Sequence, residues 1–515
     1  MNRMKKILGR IIVVLPAVSL QIAWYIIILR DLNNLLNGHL RDIIGTVLYV
    51  IAVLIVLGLV SKRDEGSYKL VWVIVILSMP ILGAIIYLFM GDKRSGKGLK
   101  QKLKKSSEEL PIRDVVGNDG SIEEIEKEDL RLSQTLYHIT KTTGFPAFYN
   151  DTSRYYSFGE EMFADMVEDL KTAEHYIFME YFIIQRGKFW DTLTGILAER
   201  AAAGVDVRII YDDLGSISKY SYADIIELKQ KGIKCISFNP LLFIATRLNN
   251  RDHRKITVID GRIAYSGGLN MADEYVNEIH PYGIWKDIGF RITGPAVRSY
   301  TYMFAEFWNA FSKDTICSKS ITFPKTGSNV AEHDNGYILP YYDSPVRDEH
   351  TSNVLFADIL SQATGYVWFY TPYLMLGESL LEAVVRAAQR GVDVRIMTPG
   401  TSDSKLVNRI GRSYYRGLVK AGVRIFEYEP GFVHAKAFIA DDKVCGIGTV
   451  NMDYRSLFLH FECESVFYKA DIIEELKNDY QRTLADCAEQ TPESVSNGIL
   501  HRLIDSILRI IAPLM

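Results

Sequence analysis

The stretch His253-Arg254-Lys255-Ile256-Thr257-Val258-Ile259-Asp260 returns as His434-Ala435-Lys436-Ala437-Phe438-Ile439-Ala440-Asp441, and each copy has an asparagine 17 positions after its histidine, Asn270 and Asn451. With 10 histidines, 59 Lys/Arg and 62 Asp/Glu in 515 residues, a histidine followed by a base at +2 and an acid at +7 is expected only about 0.1 times by chance. Two copies point to one composite site made of two half-sites.

The β-branched, apolar run behind each histidine predicts a strand, in which alternate residues share a side, so His253 joins Lys255 and His434 joins Lys436. The asparagines follow Ser266-Gly267-Gly268-Leu269 and Gly448-Thr449-Val450, small-residue turns whose backbone N–H groups can approach an anion. Two imidazoles, two ammoniums and two amides describe a phosphate pocket. A lone histidine would be read as an ordinary core or surface residue; the duplication overturns that reading.

A phosphodiester needs a nucleophile on one side of phosphorus and a proton for the leaving oxygen on the other. One neutral imidazole supplies the first and a protonated imidazole the second. The lysines and asparagines stabilise charge on the non-bridging oxygens, so neither a metal nor a cofactor is expected. The two histidine pKa values must then be pushed apart. Asp287, in Trp285-Lys286-Asp287, and Glu462, in His460-Phe461-Glu462, lie 34 and 28 residues beyond their histidines and are the candidates for doing so, against the alternative of ordinary surface carboxylates.

The duplication extends outward. Tyr176 to Ile183, helical 193–203 and Gly204-Val205-Asp206-Val207-Arg208-Ile209 are matched by Tyr366 to Tyr370, helical 380–390 and Gly391-Val392-Asp393-Val394-Arg395-Ile396. Strands alternating with helices predict an α/β fold of two sandwich halves about a pseudo-twofold axis, residues 136–330 and 331–515, with 325–335 as connector. Tyr211-Asp212-Asp213 follows a predicted strand, but its counterpart is Thr398-Pro399-Gly400, so symmetric chemistry does not use it. Aromatic residues near strand ends, among them Tyr181, Phe182, Trp190, Tyr370 and Tyr373, read mainly as core, with an acyl-chain groove as the alternative.

The paired H-x-K-x(4)-D-x(9)-N elements resemble those of the phospholipase D superfamily. Asn249 to Lys255, Gly267-Gly268-Leu269-Asn270, Trp285-Lys286-Asp287, Gly294-Pro295-Ala296-Val297 and Asn451-Met452-Asp453-Tyr454-Arg455-Ser456 look specifically like bacterial cardiolipin synthases, over almost the whole chain. That resemblance implies condensation of two phosphatidylglycerols into cardiolipin and glycerol through a covalent phosphatidyl-histidine, with His253 as nucleophile. It carries His253, Lys255, Asp260, His434, Lys436 and Asp441 over as catalytic residues. The chain departs from the pattern at Asp252, Lys286, Ile288 and His460, where the family commonly has Asn, Arg, Thr and Asn, and these positions bear on donor or acceptor preference.

Residues 11–29, 43–60 and 70–90 are apolar runs near the length that crosses ~30 Å of hydrocarbon, so 1–92 is expected to be a membrane region with three transmembrane helices. The first run continues past its weak small-residue site at Ala17-Val18-Ser19, as an uncleaved anchor does. The second and third resemble the N-terminal hairpin of cardiolipin synthases. Placing the large domain inside puts nine flanking Lys/Arg inside against seven outside, which leans to a cytoplasmic catalytic domain on a bacterial plasma membrane. Residues 93–135, charged and weakly periodic, read as a linker whose basic cluster suits anionic headgroups.

A net charge of −3 and three apolar runs weigh against nucleic acid as partner. Five cysteines give no disulfide framework or metal spacing and read as small buried hydrophobes. Ile499, Leu500, Leu503, Ile504, Ile507, Leu508 and Ile511 fall at helical spacing opposite Arg502, Asp505 and Arg509, an amphipathic helix for the core or for the bilayer surface. The expected partners are membrane phospholipids, phosphatidylglycerol first, and the lipid bilayer. A hydrolase, a transferase using another acceptor and a non-enzymatic scaffold are the alternatives, and the motifs in both halves disfavour the last.

Overall fold

A computed structural model describes residues 38–62, 64–91, 97–117, 121–240, 249–324, 335–495 and 498–514. The expected first transmembrane run and most of the expected connector lie outside them.

Seven strands of the first half form a mixed sheet in the order Thr152–Tyr156, Gly289–Thr293, Ile263–Gly267, Ile256–Ile259, Tyr176–Tyr181, Asp206–Asp212, Lys234–Phe238. The second half repeats the order with Tyr337–Asp343, His460–Tyr468, Val444–Gly448, Ala437–Ala440, Tyr366–Tyr370, Asp393–Pro399 and Arg424–Tyr428, and short strands extend that sheet at both ends. The GVDVRI segments supply equivalent strands, each parallel to the strand before it. The intervening helices are Lys188–Ala202 and Glu378–Gln389, as their apolar spacing predicts.

The sheets share one core: Phe290 meets Phe467 edge-on at 5.4 Å, and the hydroxyls of Tyr300 and Ser465 are 2.7 Å apart. Each half also lends a short strand to the other. Arg251–Asp252 runs parallel to the start of His460–Tyr468, and Gly431–Val433 runs parallel to Ile284–Lys286. The exchange is reciprocal, as a pseudo-twofold arrangement requires.

Two segments differ from expectation. The basic stretch read as a linker is largely helical, at Lys97–Glu109, Ile112–Val115 and Ser121–Glu128. Leu99, Leu103 and Leu110 form a narrow buried stripe, and Ser106 Oγ donates to the Glu306 carbonyl at 2.7 Å on the central helix Val297–Phe311. One thin apolar stripe among many lysines is enough to hold a helix against a body already folded.

The third apolar run is also interrupted. Helix Gly66–Ser78 ends at Met79, in non-helical backbone at φ −136°, ψ 74°, before helix Pro80–Ile86 and the π-helical turn Tyr87–Gly91. Proline lacks the N–H that would continue the ladder and disfavours helical backbone in the residue before it. The second run lies within helix Gly38–Val60, which packs on this broken pair. Among the described residues no helix is long and apolar enough to cross a membrane. The hairpin nonetheless exposes Val47, Leu54, Leu57, Leu70 and Leu88, and its other side rests on the second half, where Tyr68 stacks on Tyr454.

Candidate active site

The borrowed strands bring the two motifs together. His253 N–H donates to the Phe461 carbonyl at 2.9 Å, and His434 N–H to that of Lys286 at 2.7 Å. Residues two apart on paired strands face the same way. This places Glu462 Oε2 2.8 Å from His253 Nδ1, and Asp287 Oδ2 2.6 Å from His434 Nδ1. The sequence assigned each carboxylate to the histidine of its own half; the pairing is crosswise. In both pairs the carboxylate lies against Nδ1 and so favours the tautomer that carries its proton there, which leaves Nε2 the nitrogen for chemistry.

The carboxylates are themselves fixed. Glu462 accepts from Thr449 Oγ1 and Ser456 Oγ, both at 2.5 Å, and Asp287 accepts from the Ile288 N–H at 2.9 Å. Gly268 leaves room for Asp287, since a Cβ there would lie 1.9 Å from its Oδ1.

The motif lysines are fully buried, and each Nζ donates to the carbonyl of its own histidine, Lys255 at 2.6 Å. The regular strands begin only after them, at Ile256 and Ala437. Burial shifts every group here toward its neutral form. Lys255 is lowered to about 8 and Lys436 to about 7 by desolvation, while Asp287 rises to about 7 and Glu462 to about 8. Both histidines fall well below 6.5, first by burial and then by the lysine charges, with His434 also acting on His253. Charges that act on one another across the halves describe one site.

The remaining predicted residues divide. Asn270 is buried, its Oδ1 accepting from the Ile183 N–H at 3.0 Å and its Nδ2 donating to Tyr275 OH at 2.9 Å, so it steadies a ring 5.3 Å from that of His434. Asn451 Oδ1 is buried with no partner among the described residues. Asp260 and Asp441 do not join the histidines. They sit in left-handed backbone at the far ends of the motif strands, roughly 20 Å along the chain at about 3.3 Å per residue. Asp260 accepts from the N–H groups of Glu174, His175 and Tyr176, and Asp441 from those of Thr364, Gly365 and Tyr366, all at 2.8 Å. Their place in the motif reflects strand anchoring.

His460, one of the departures from the family pattern, is a close neighbour of the site. Its ring lies 5.8 Å from that of His253. His253, His460 and Glu462 each offer a ligand atom within 4.8 Å of the others, a metal-ligating set invisible in the linear spacing. The facing ammoniums of Lys255 and Lys436 oppose a dication there. Of the other aromatics, Phe182 packs edge-on to His253 at 5.1 Å, Tyr181, Trp190 and Tyr370 are core, and Tyr373 OH donates to Asp403 at 2.7 Å. Cys317 is exposed and Cys487 half-buried, so only Cys235, Cys445 and Cys463 are the buried hydrophobes expected.

Comparison with known proteins finds relatives over most of the chain. The family described as "Cardiolipin synthase, PLD-like domain" matches residues 166–304 and 356–484, and "Phospholipase_D-nuclease N-terminal" matches 47–91. A protein of Streptococcus mutans described as uncharacterized is 37% identical over 92% of this chain and 100% of its own length. A cardiolipin synthase of Alkalihalophilus pseudofirmus is 31% identical over 93% of this chain and 96% of its own, and cardiolipin synthase 2 of Bacillus anthracis 32% over 88% of each. Among solved structures, phosphatidylserine synthase of Haemophilus influenzae shares the fold with a TM-score of 0.57 at 13% identity, covering 75% of this chain and 99% of that one. With both halves matched and relatives aligned over nearly their full length, the chain belongs to the cardiolipin synthase family of phospholipase D-like enzymes.

Proposed function

We propose that the enzyme condenses two phosphatidylglycerols into cardiolipin and glycerol through a phosphatidyl-histidine. The observation that carries this reading is the crosswise pairing of two buried histidines with two carboxylates around two buried lysines.

His253 Nε2 attacks the donor phosphorus, the P–O bond to glycerol breaks, and His434 gives the departing alkoxide its proton. A glycerol hydroxyl of the second phosphatidylglycerol then attacks the phosphohistidine, His434 takes that proton back and the P–N bond breaks. Lys255 and Lys436 hold the non-bridging oxygens, with Asn270 and Asn451 supporting the pocket. The surroundings favour this division of labour. His253 is kept neutral first by burial and then by Lys255, Lys436 and any charge on His434. His434, lowered by burial and then by the two lysines, is raised by a backbone hydrogen bond with Gly268, and Tyr275, Trp285 and a stacked Phe432 surround it at 5.3 to 5.8 Å, an aromatic shell that favours an imidazolium once an anionic phosphodiester is bound.

The lipid bilayer is the working surface. The exposed apolar hairpin holds the chain at a bacterial plasma membrane, with its catalytic body on the cytoplasmic side. The C-terminal helix Ile499–Ile511, whose Ile499, Leu503, Ile504 and Ile507 are exposed beside that hairpin, rests on the same bilayer. The test is mass spectrometry of products from purified protein given phosphatidylglycerol as sole lipid. Cardiolipin and glycerol in equal amounts are expected; phosphatidic acid without cardiolipin would make the enzyme a hydrolase.

A further inference from the structure

The two half-sites match in chemistry but differ one step out. On the His253 side, the rung before the histidine–carboxylate pair joins Arg251 to His460. On the His434 side, the equivalent rung joins Phe432 to Trp285, two rings 4.8 Å apart. Paired residues on parallel strands point to the same side, and so do residues two apart. Arg251 and His460 therefore face the same way as His253 and Glu462.

Arg251 is under-used for a buried guanidinium. Its side chain is 1% exposed, Nη2 donates to the Asn239 carbonyl, and Nε lies 3.3 Å from Asp212 Oδ2 without a hydrogen bond. Nη1 has no partner among the described residues, and neither does His460 Nε2. Guanidinium presents five N–H donors in a planar fork suited to phosphate oxygens, and leaving them unmade in the interior is unfavourable. Asp212 braces Arg251 and accepts from the Asp252 N–H at 2.9 Å, whereas the equivalent position of the second half is Pro399. The asymmetry is thus built in three residues deep.

We propose that the Arg251–His460 rung is a second phosphate subsite, which binds the phosphodiester that the acceptor lipid itself carries. The inference rests on the condensation reading above and specifies its acceptor as an anionic phospholipid rather than water or a simple alcohol. During the second half-reaction the acceptor hydroxyl must meet the phosphohistidine while its own phosphate lies a glycerol bridge away. The 5.8 Å between the His253 and His460 rings is a separation of that order. The aromatic rung on the other side offers no comparable cation.

The full chain in mixed micelles, with phosphatidylglycerol as donor and with phosphatidylglycerol and 1-butanol competing as acceptors, tests this through the ratio of cardiolipin to phosphatidylbutanol. His460→Leu and Arg251→Met are each expected to lower that ratio about tenfold or more, the scale of one lost charge-assisted contact, and Phe432→Leu to lower it far less. His460→Leu decides if Arg251→Met fails to fold. A ratio within about twofold of wild type in His460→Leu, or an equal fall in Phe432→Leu, overturns the subsite. Inorganic phosphate at about 10 mM should leave the ratio unchanged, and suppression of cardiolipin alone would assign the rung to a free anion instead. Wild-type enzyme that makes phosphatidylbutanol but no cardiolipin sinks the condensation reading itself.

Discussion

Glu462 and His253 stand 209 residues apart in the chain, in different halves, and meet at 2.8 Å. Because Asp287 and His434 make the reciprocal contact, neither half contains a complete histidine–carboxylate pair. Replacing the carboxylate by its amide keeps the shape but weakens the hold on Nδ1–H and the stabilisation of a charged ring. Glu462→Gln and Asp287→Asn are each expected to lower kcat by about 10²-fold or more with little change in melting temperature. Steady-state transfer assays beside thermal melts check this, and near wild-type turnover in either variant would remove the carboxylates from the mechanism.

The histidines are expected to separate by leaving group. His253→Ala and His434→Ala should both abolish transfer from phosphatidylglycerol. A donor with a p-nitrophenolate leaving group needs no proton, so His434→Ala should still release nitrophenol and trap a phosphatidyl group on His253 after acid quench. Recovery in His253→Ala instead, with the label on His434, would reverse the roles.

The pH profile follows from the direction of each shift. A histidine held well below 6.5 stays neutral as pH falls through that value, so the acid limb of kcat/KM should lie below pH 6.5. Lysines lowered to about 7 and about 8 lose their protons as pH rises through that range, while Asp287 and Glu462 gain negative charge there. Both changes weaken phosphodiester binding. In the lipid-bound enzyme, where the phosphodiester anion keeps His434 protonated, the alkaline limb of kcat should therefore fall between pH about 7 and 8, and Lys436→Arg should move it upward, because guanidinium keeps its proton. An alkaline limb near 10 in the wild type would contradict the buried-lysine account.

Much of this architecture was legible in the sequence. The GVDVRI repeats are equivalent strands, and the motif histidines and lysines do meet, because strand alternation and duplication are local signals. What stayed hidden depends on chain exchange: nothing in the spacing of Glu462 shows that it serves the histidine of the other half. The Arg251–His460 rung was unreadable for the same reason. Asp260 misled for another reason, since its fixed distance from His253 reflects a strand's length and a need to cap Glu174, His175 and Tyr176.

That anchoring role gives Asp260 its own prediction. Losing an acceptor shared by three backbone N–H groups should cost about 2–4 kcal/mol of stability in Asp260→Ala. The folded fraction should keep its kcat, since the carboxylate lies at the far end of the strand. Unfolding curves with activity corrected for folded protein measure both, and a kcat loss in fully folded protein would return Asp260 to the active site.

The last prediction concerns the N-terminal helices. The proposed catalytic groups all lie beyond residue 250, which by itself argues that a chain beginning near residue 110 keeps its activity once lipid is delivered in micelles. The packing argues otherwise. Tyr68 stacks on Tyr454 at 5.4 Å and 9°, three residues after Asn451, and Glu65 accepts from the Glu378 N–H at the start of a second-half helix. Leu99 and Leu103 are buried, and Ser106 ties their helix to Glu306. Removing these groups leaves Tyr454 bare and opens the backbone that carries Asn451. The shortened chain should melt at least about 5 °C lower and transfer more slowly than the full chain even in mixed micelles. Tyr68→Ala in the full chain should reproduce part of both effects with the membrane region otherwise intact. Equal micellar kcat and equal melting for full and shortened chains would show that the hairpin only anchors, and that its contact with Tyr454 has no bearing on the site.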